Sequence, residues 1–156
     1  DAAADIANKI AEGDVSAKIE IKPGDTTSLM VAMQKLADKL EWYRSIIDAV
    51  PFPIHVIDMD MNWTMLNKAF EKLMIESGAV PDRRAAVGKP CSSAAANICN
   101  SEKCGIRQLQ KGVGESYFDW HGAQCKQDTS YLLNKNGEKI GYVEVVTDQL
   151  GGVASA

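Results

Sequence analysis

Pro51-Phe-Pro-Ile-His-Val-Ile-Asp-Met-Asp-Met-Asn-Trp-Thr-Met-Leu66 is the stretch that decides how this chain is built. The residue before each proline is pushed out of the right-handed helical region, so a helix has to stop near Val50 and extended chain has to follow. Ile54 to Asp58 then reads as a strand, Met59 to Asn62 as a turn and Trp63 to Leu66 as a second strand. Asn67 is placed to cap a helix carrying Ala69, Phe70, Leu73 and Met74, because its side-chain oxygen can satisfy an orphan N–H of the first turn. Gly78 and Pro81 close that helix.

Downstream, residues 82–114 are polar, alanine-rich and cysteine-bearing, and short helices are expected there, with Ile106 to Gln110 the best formed. Three strands follow: Ser116 to Trp120, Ser130 to Leu133 and Ile140 to Val146. Asn134-Lys-Asn-Gly137 joins the last two as a hairpin, since Asn-Gly readily adopts the positive φ of a tight turn. Two strands, short helices and three more strands predict an α+β domain with a five-stranded antiparallel sheet.

Upstream, Asp5 to Glu12 is expected to be helical, with Gly13 and Asp14 ending it. Val15 to Ile21 reads as extended, Pro23-Gly24 as a turn, and Asp25, Thr26, Thr27 or Ser28 as the cap of a second helix. In that helix Leu29, Met33, Leu36, Leu40, Tyr43, Ile47 and Val50 recur at spacings of 4, 3, 4, 3, 4 and 3, a heptad seam. At 1.5 Å per residue it would extend about 34 Å. The seam is narrower than the stripe a helix buries on its own domain, which favours a parallel homodimeric coiled coil. Leu29, Met33, Leu36 and Leu40 would then be relay positions, through which a change in packing travels to the strand at Ile54.

The charge sum, 17 basic against 21 acidic residues in 156, is −4, which leaves no basic excess for nucleic acid. No apolar run reaches the roughly 18 residues of a membrane span. The most apolar stretch, Ala49 to Ile57, is broken by Pro51 and Pro53. No phosphate-cradling glycine loop, His-Glu-x-x-His or nucleophile elbow is present, and Asp58 with Asp60 reads as turn chemistry, so no enzyme activity is expected. The chain opens on Asp1 without a basic leader, and the expectation is a water-soluble piece of a longer membrane protein.

Two candidate sites remain. The first is the cysteine set Cys91-x7-Cys99-x4-Cys104-x20-Cys125, with His121 four residues before the last. Thiolates can hold zinc or an iron–sulfur cluster, or exchange with a disulfide, and cysteines also serve as small core residues. These readings stay open, since Cys-x2-Cys is absent. The second is a small-ligand pocket between sheet and helices, with His55, Trp120 and Tyr131 as candidate lining. His55 sits among apolar strand residues, where a structural imidazole is the ordinary outcome, and Trp63 and Trp120 fit a core.

Two resemblances add to this reading. Ile-Ala-Asn-Lys-Ile-Ala-Glu-Gly-Asp (6–14), the apolar positions Val15, Ile19 and Ile21, and Gly-Asp-Thr-Thr-Ser-Leu-Met-Val-Ala-Met-Gln-Lys-Leu (24–36) resemble the C-terminal half of a HAMP domain. The Pro-x-Pro-Ile-x-Val-Ile-Asp opening (51–58), Asn67-x-Ala69-Phe70, Val-Gly-Lys-Pro-Cys (87–91) and Gly-Tyr-Val-Glu-Val-Val-Thr-Asp (141–148) resemble a PAS domain. The implied division is a partial HAMP over 1–45, a PAS domain over 46–150 and a tail over 151–156. The pair is typical of bacterial transmembrane receptors, and its wording is most similar to methyl-accepting chemotaxis proteins. That implies a sensory and relay region on the cytoplasmic side of the inner membrane, joined to a downstream signalling domain. Sensor histidine kinases and cyclic-di-nucleotide enzymes carry the same pair and are the alternatives. The resemblance also disfavours a b-type haem, since Gly105 to Lys111 lacks the histidine of the known haem sensors, and a photoactive flavin, whose Asn-Cys-Arg-Phe motif is absent.

Overall fold

The computed structural model describes residues 2–24 and 28–148. It divides into two units, Asp1–Ile47 and Asp48–Ala156.

In the first unit α1 spans Ala2–Ala11 and α2 spans Leu29–Ala49, whose last residues belong to the second unit. Gly13, at φ +88°, ends α1 in a conformation that a side chain would oppose. Ile10 packs with Met33 and Ala37, and Ile6, Val15, Ile19 and Met30 close around them. Val15 and Ile19 contribute this packing from turns and irregular chain, where extended structure was expected. Ser28 is the capping residue that can be seen, its Oγ accepting from the Val31 N–H at 3.3 Å. The alternative caps Asp25, Thr26 and Thr27 lie outside the described residues. The heptad seam divides between two environments. Met33 is buried in this chain's own cluster, whereas Leu29, Leu36, Leu40 and Tyr43 are exposed, as are Trp42 and Ile46.

The second unit holds a five-stranded antiparallel sheet in the order β2-β1-β5-β4-β3. Its strands are β1 (Ile54–Asp58), β2 (Trp63–Leu66), β3 (Glu115–Trp120), β4 (Ala123–Leu133) and β5 (Lys139–Asp148). Between β2 and β3 come α3 (Lys68–Glu76), α4 (Arg83–Ala86), a 3₁₀ turn (Cys91–Ala94) and α5 (Gly105–Gln110). The core lies between these short helices and one face of the sheet: Phe70, Met74, Ala86, Ala94, Ile98 and Ile106 meet Ile57, Trp63, Leu66, Phe118, Trp120 and Val146. Each large apolar side chain buried this way contributes about 1.5–3 kcal/mol.

Two polar anchors fix where the sheet begins. Asn67 is fully buried and caps α3, its Oδ1 accepting from Phe70 N–H at 3.0 Å and from Ile54 N–H at 2.9 Å. Its Nδ2 donates to the carbonyls of Phe52 at 2.8 Å and Val50 at 3.3 Å, tying the proline segment to the helix start. Asp48 takes a two-pronged contact from Arg83, at 2.6 and 2.9 Å, and accepts from Lys68 N–H at 3.0 Å. This hydrogen-bonded pairing with Asp48 holds Arg83 further into its protonated range than usual.

Strand β4 departs most from the sequence expectation. It begins at Ala123, seven residues before Ser130, and pairs with β3 along its new length. The turn into it uses His121 and Gly122 at φ +50° and +85°, the left-handed pair of a two-residue hairpin. Gly141 is also structural: a Cβ there would run into the Ile57 carbonyl of the neighbouring strand. Among the described residues, no helix is long and apolar enough to cross a membrane.

Candidate functional site

The inner face of a sheet normally presents apolar side chains, but a polar row crosses this one. His55 on β1 is directly opposite Glu144 on β5, and Glu144 is directly opposite Thr129 on β4. Gln127 lies two residues before Thr129 on the same strand, so its side chain shares the face. All four residues are buried. Glu144 gathers the others. Its Oε2 is 2.8 Å from His55 Nε2, and its Oε1 accepts from Gln127 Nε2 at 2.8 Å and from Thr129 Oγ1 at 3.1 Å.

The protonation of His55 follows from its other nitrogen. Trp63 Nε1–H, which can only donate, is 2.9 Å from His55 Nδ1, so Nδ1 accepts. The ring proton is therefore on Nε2 and is donated to Glu144, which leaves the imidazole neutral. Phe70 stacks on the same ring at 4.3 Å between centroids and holds its plane. Glu144 thus receives three donors, the arrangement that suits a carboxylate.

A cavity opens in front of this row. It offers about 40 Å³ to the centres of water molecules, enough for about three of them. Its wall includes His55, Glu144 and Gln127 from the sheet, Phe70, Phe118 and Trp120 as aromatics, and Cys91, Cys99 and Cys104 from the helical side. Gly105 stands at the junction. A Cβ on it would come within 2.7 Å of both Glu144 Oε1 and Thr129 Oγ1, so only a bare residue lets α5 settle on the polar row.

The expected site residues fall as follows. His55 and Trp120 line the cavity, with Trp120 held by its Nε1–H donating to the Ala94 carbonyl at 2.8 Å. Tyr131 does not line it. Its ring lies beside Tyr142, with Lys139 Nζ 3.9 Å from the ring centre. Cys91, Cys99 and Cys104 line the cavity, whereas Cys125 is buried on β4 as part of the core and is not part of the wall. Among the described residues no three His, Cys, Asp or Glu side chains converge as metal ligands. Burial pushes the Cys91 thiol up to about 12, with Glu144 and the neighbouring thiols adding to it, and burial also raises Cys99. Both thiols are thereby less acidic than an ordinary exposed cysteine.

Glu144, Gln127, Thr129 and Gly105 are site residues that sequence reasoning did not single out. One signal was available: Glu144 is an isolated charge within Gly141-Tyr-Val-Glu-Val-Val146, and a lone carboxylate inside an apolar strand marks a buried polar contact.

No protein-family model matches the chain, and no curated protein matches it. Solved structures do. The PAS domain of a protein from Colwellia psychrerythraea is similar at 18% identity and a TM-score of 0.51, over 71% of this chain and 97% of that one. The PAS domain of an HTR-like protein from Haloarcula marismortui is similar at 12% identity and a TM-score of 0.52, over 75% of this chain and 97% of that one. The likeness establishes the fold: the second unit is an α+β domain of the PAS type, with its five strands antiparallel.

Proposed function

We propose that this chain is the sensory and relay region of a bacterial chemotaxis receptor, in which the PAS-type unit binds a small ligand in the cavity before Glu144. The observation that carries the reading is that cavity, where a buried polar row, aromatic side chains and a bare glycine surround space for a small molecule. The HAMP-like wording of residues 6–36 and the exposed Leu29, Leu36, Leu40 and Tyr43 on α2 support the relay half. In this reading two copies pair along that helix face, and ligand binding favours one packing of the pair over another. The region sits on the cytoplasmic side of the inner membrane and hands its signal to a domain after Ala156. A sensor histidine kinase or a cyclic-di-nucleotide enzyme would use the same region with a different output domain.

A second reading, a cysteine-based metal or redox centre, rests on Cys91, Cys99 and Cys104 lining one cavity, although among the described residues they are not drawn together as ligands. Metal analysis and thiol titration of anaerobically purified protein separate the two. Free thiols without metal support the ligand-sensing reading, whereas bound zinc or iron, or a disulfide, would replace it.

The relay half is tested by sedimentation. The chain is expected to be a dimer and Leu36→Asp with Leu40→Asp a monomer; a wild-type monomer, or a dimer unaffected by the pair, would overturn pairing along α2. The sensory half is tested in a chimera that joins this chain to the signalling hairpin of a chemotaxis receptor. Filling the cavity with Ala94→Leu should change kinase output, and output that ignores the substitution would overturn the assignment.

A further inference from the structure

The cavity wall carries a charge with nothing to balance it. Among the described residues, the ion-pair partner of Glu144 within 4 Å is His55, and the Trp63 indole holds His55 neutral. No lysine or arginine lines the cavity. A buried carboxylate is ordinarily paired with a cation or a metal, and here three neutral donors are its partners. The same cavity is lined by Phe70 from α3 and by Phe118 and Trp120 from β3, aromatic rings of the kind that attract cations. Ser116 adds a further sign of an incomplete interior. It is directly opposite Gln127 on β3, it is buried, and its Oγ lacks a hydrogen-bond partner.

We propose that the cavity is a site for a small alkylammonium ion, its charged nitrogen turned toward Glu144 and its carbons against Phe70, Phe118 and Trp120. This rests on the small-ligand reading above and names the ligand's chemical class. An ammonium supplies the missing positive charge and needs only acceptors, which suits a wall whose strongest group is a carboxylate. Space for about three waters limits it to about two or three carbons, as in ethylammonium or trimethylammonium. An anion would meet the field of Glu144. A neutral alcohol would fill the space without answering the charge.

The test uses the whole chain, labelled with ¹⁵N, at constant ionic strength, following the Trp120 indole N–H signal. Ethylammonium and trimethylammonium chloride are titrated beside ethanol, acetate, zinc chloride and dissolved xenon. The expected result is a saturable shift with at least one alkylammonium, at least tenfold tighter than with ethanol or acetate. Glu144→Gln should weaken it at least tenfold while the Trp120 signal stays dispersed. Should that variant fail to fold, the selectivity of the wild-type chain decides alone. Ethanol binding as tightly as ethylammonium would overturn the cation assignment and leave the small-ligand reading standing. A shift with zinc alone would overturn it in favour of the thiols. No shift with any probe, xenon included, would overturn both the assignment and the cavity it rests on.

Discussion

Replacing Gly105 by alanine is the smallest change that tests whether α5 rests directly on the polar row. The added methyl would come within 2.7 Å of Glu144 Oε1 and Thr129 Oγ1 and closer still to Gln127 Nε2. None of these is the free end of an exposed side chain: all three residues are buried, and Glu144 holds the other two by hydrogen bonds. The seat of α5 and the hydrogen bonds beneath it therefore both have to give. Overpacking a well-filled interior costs about 1–3 kcal/mol, and losing a hydrogen bond to a charged group costs about 1.5–3 kcal/mol. Alanine returns at most about 1 kcal/mol through its better helix propensity. The net expectation is a loss of about 3 kcal/mol, or roughly 12–20 °C in melting temperature for a domain of this size. Urea unfolding followed by the fluorescence of buried Trp63 and Trp120 measures it. Gly114→Ala is the matched control, since its methyl would meet only the Thr129 carbonyl at 3.4 Å, an ordinary contact. Gly105→Ala within about 0.5 kcal/mol of wild type, or no worse than the control, would refute the close approach.

Asn67→Ala should destabilise by about 3 kcal/mol in the same assay, because the amides of Ile54 and Phe70 and the carbonyls of Val50 and Phe52 lose their side-chain partner. Asn67→Asp, with the same shape and acceptors, should fall at least as far, since nothing then donates to the two carbonyls. Asp48→Ala should cost about 2 kcal/mol by leaving the half-buried Arg83 guanidinium without its carboxylate, and Arg83→Met in the same background should restore part of the loss; a double variant no more stable than the single would contradict this. The Cys91 thiol titrates at about 12 folded against 9.0 unfolded, so the folded chain keeps a proton that the unfolded chain releases. Its contribution is full below about pH 9 and is lost as pH rises toward 12, so the stability of wild type relative to Cys91→Ala should decline over that interval. A difference independent of pH would show that Cys91 is not shielded.

The fold was readable where local chemistry and burial agree. Pro51 and Pro53 stop α2 and force β1, Asn67 both caps α3 and sits where the strand pair must end, and Asn134 to Gly137 turns β4 into β5. These are short-range causes that a sequence displays directly. The coiled-coil seam was readable only in part. Its period correctly places α2, but period alone cannot divide the apolar residues between partners, and Met33 goes to Ile10 of its own chain while Leu29, Leu36 and Leu40 stay exposed. Tyr131 shares the face of Gln127 and Thr129 but lies further along β4, opposite Tyr142 and outside the cavity wall, a distance along the strand that alternation alone does not report.

The late start expected for β4 and the overlooked site have one physical cause. Strands are recognised by apolar residues alternating with polar ones, and β4 buries Cys125, Gln127 and Thr129 while Lys126 and Asp128 lie on the other face. Both faces read as polar, so the alternation disappears and the segment resembles a loop. An apolar set at Gln127, Thr129 and Glu144 would have made the strand obvious and removed the cost of burying a carboxylate, which is several kcal/mol for an uncompensated ion. The chain instead carries that charge on its innermost strands, satisfies it with three donors, and leaves Gly105 bare so that a helix can close over it. Local rules fail here together, at one row of residues beside one cavity. That concentration of exceptions beside one cavity is what the ligand-binding proposal draws on.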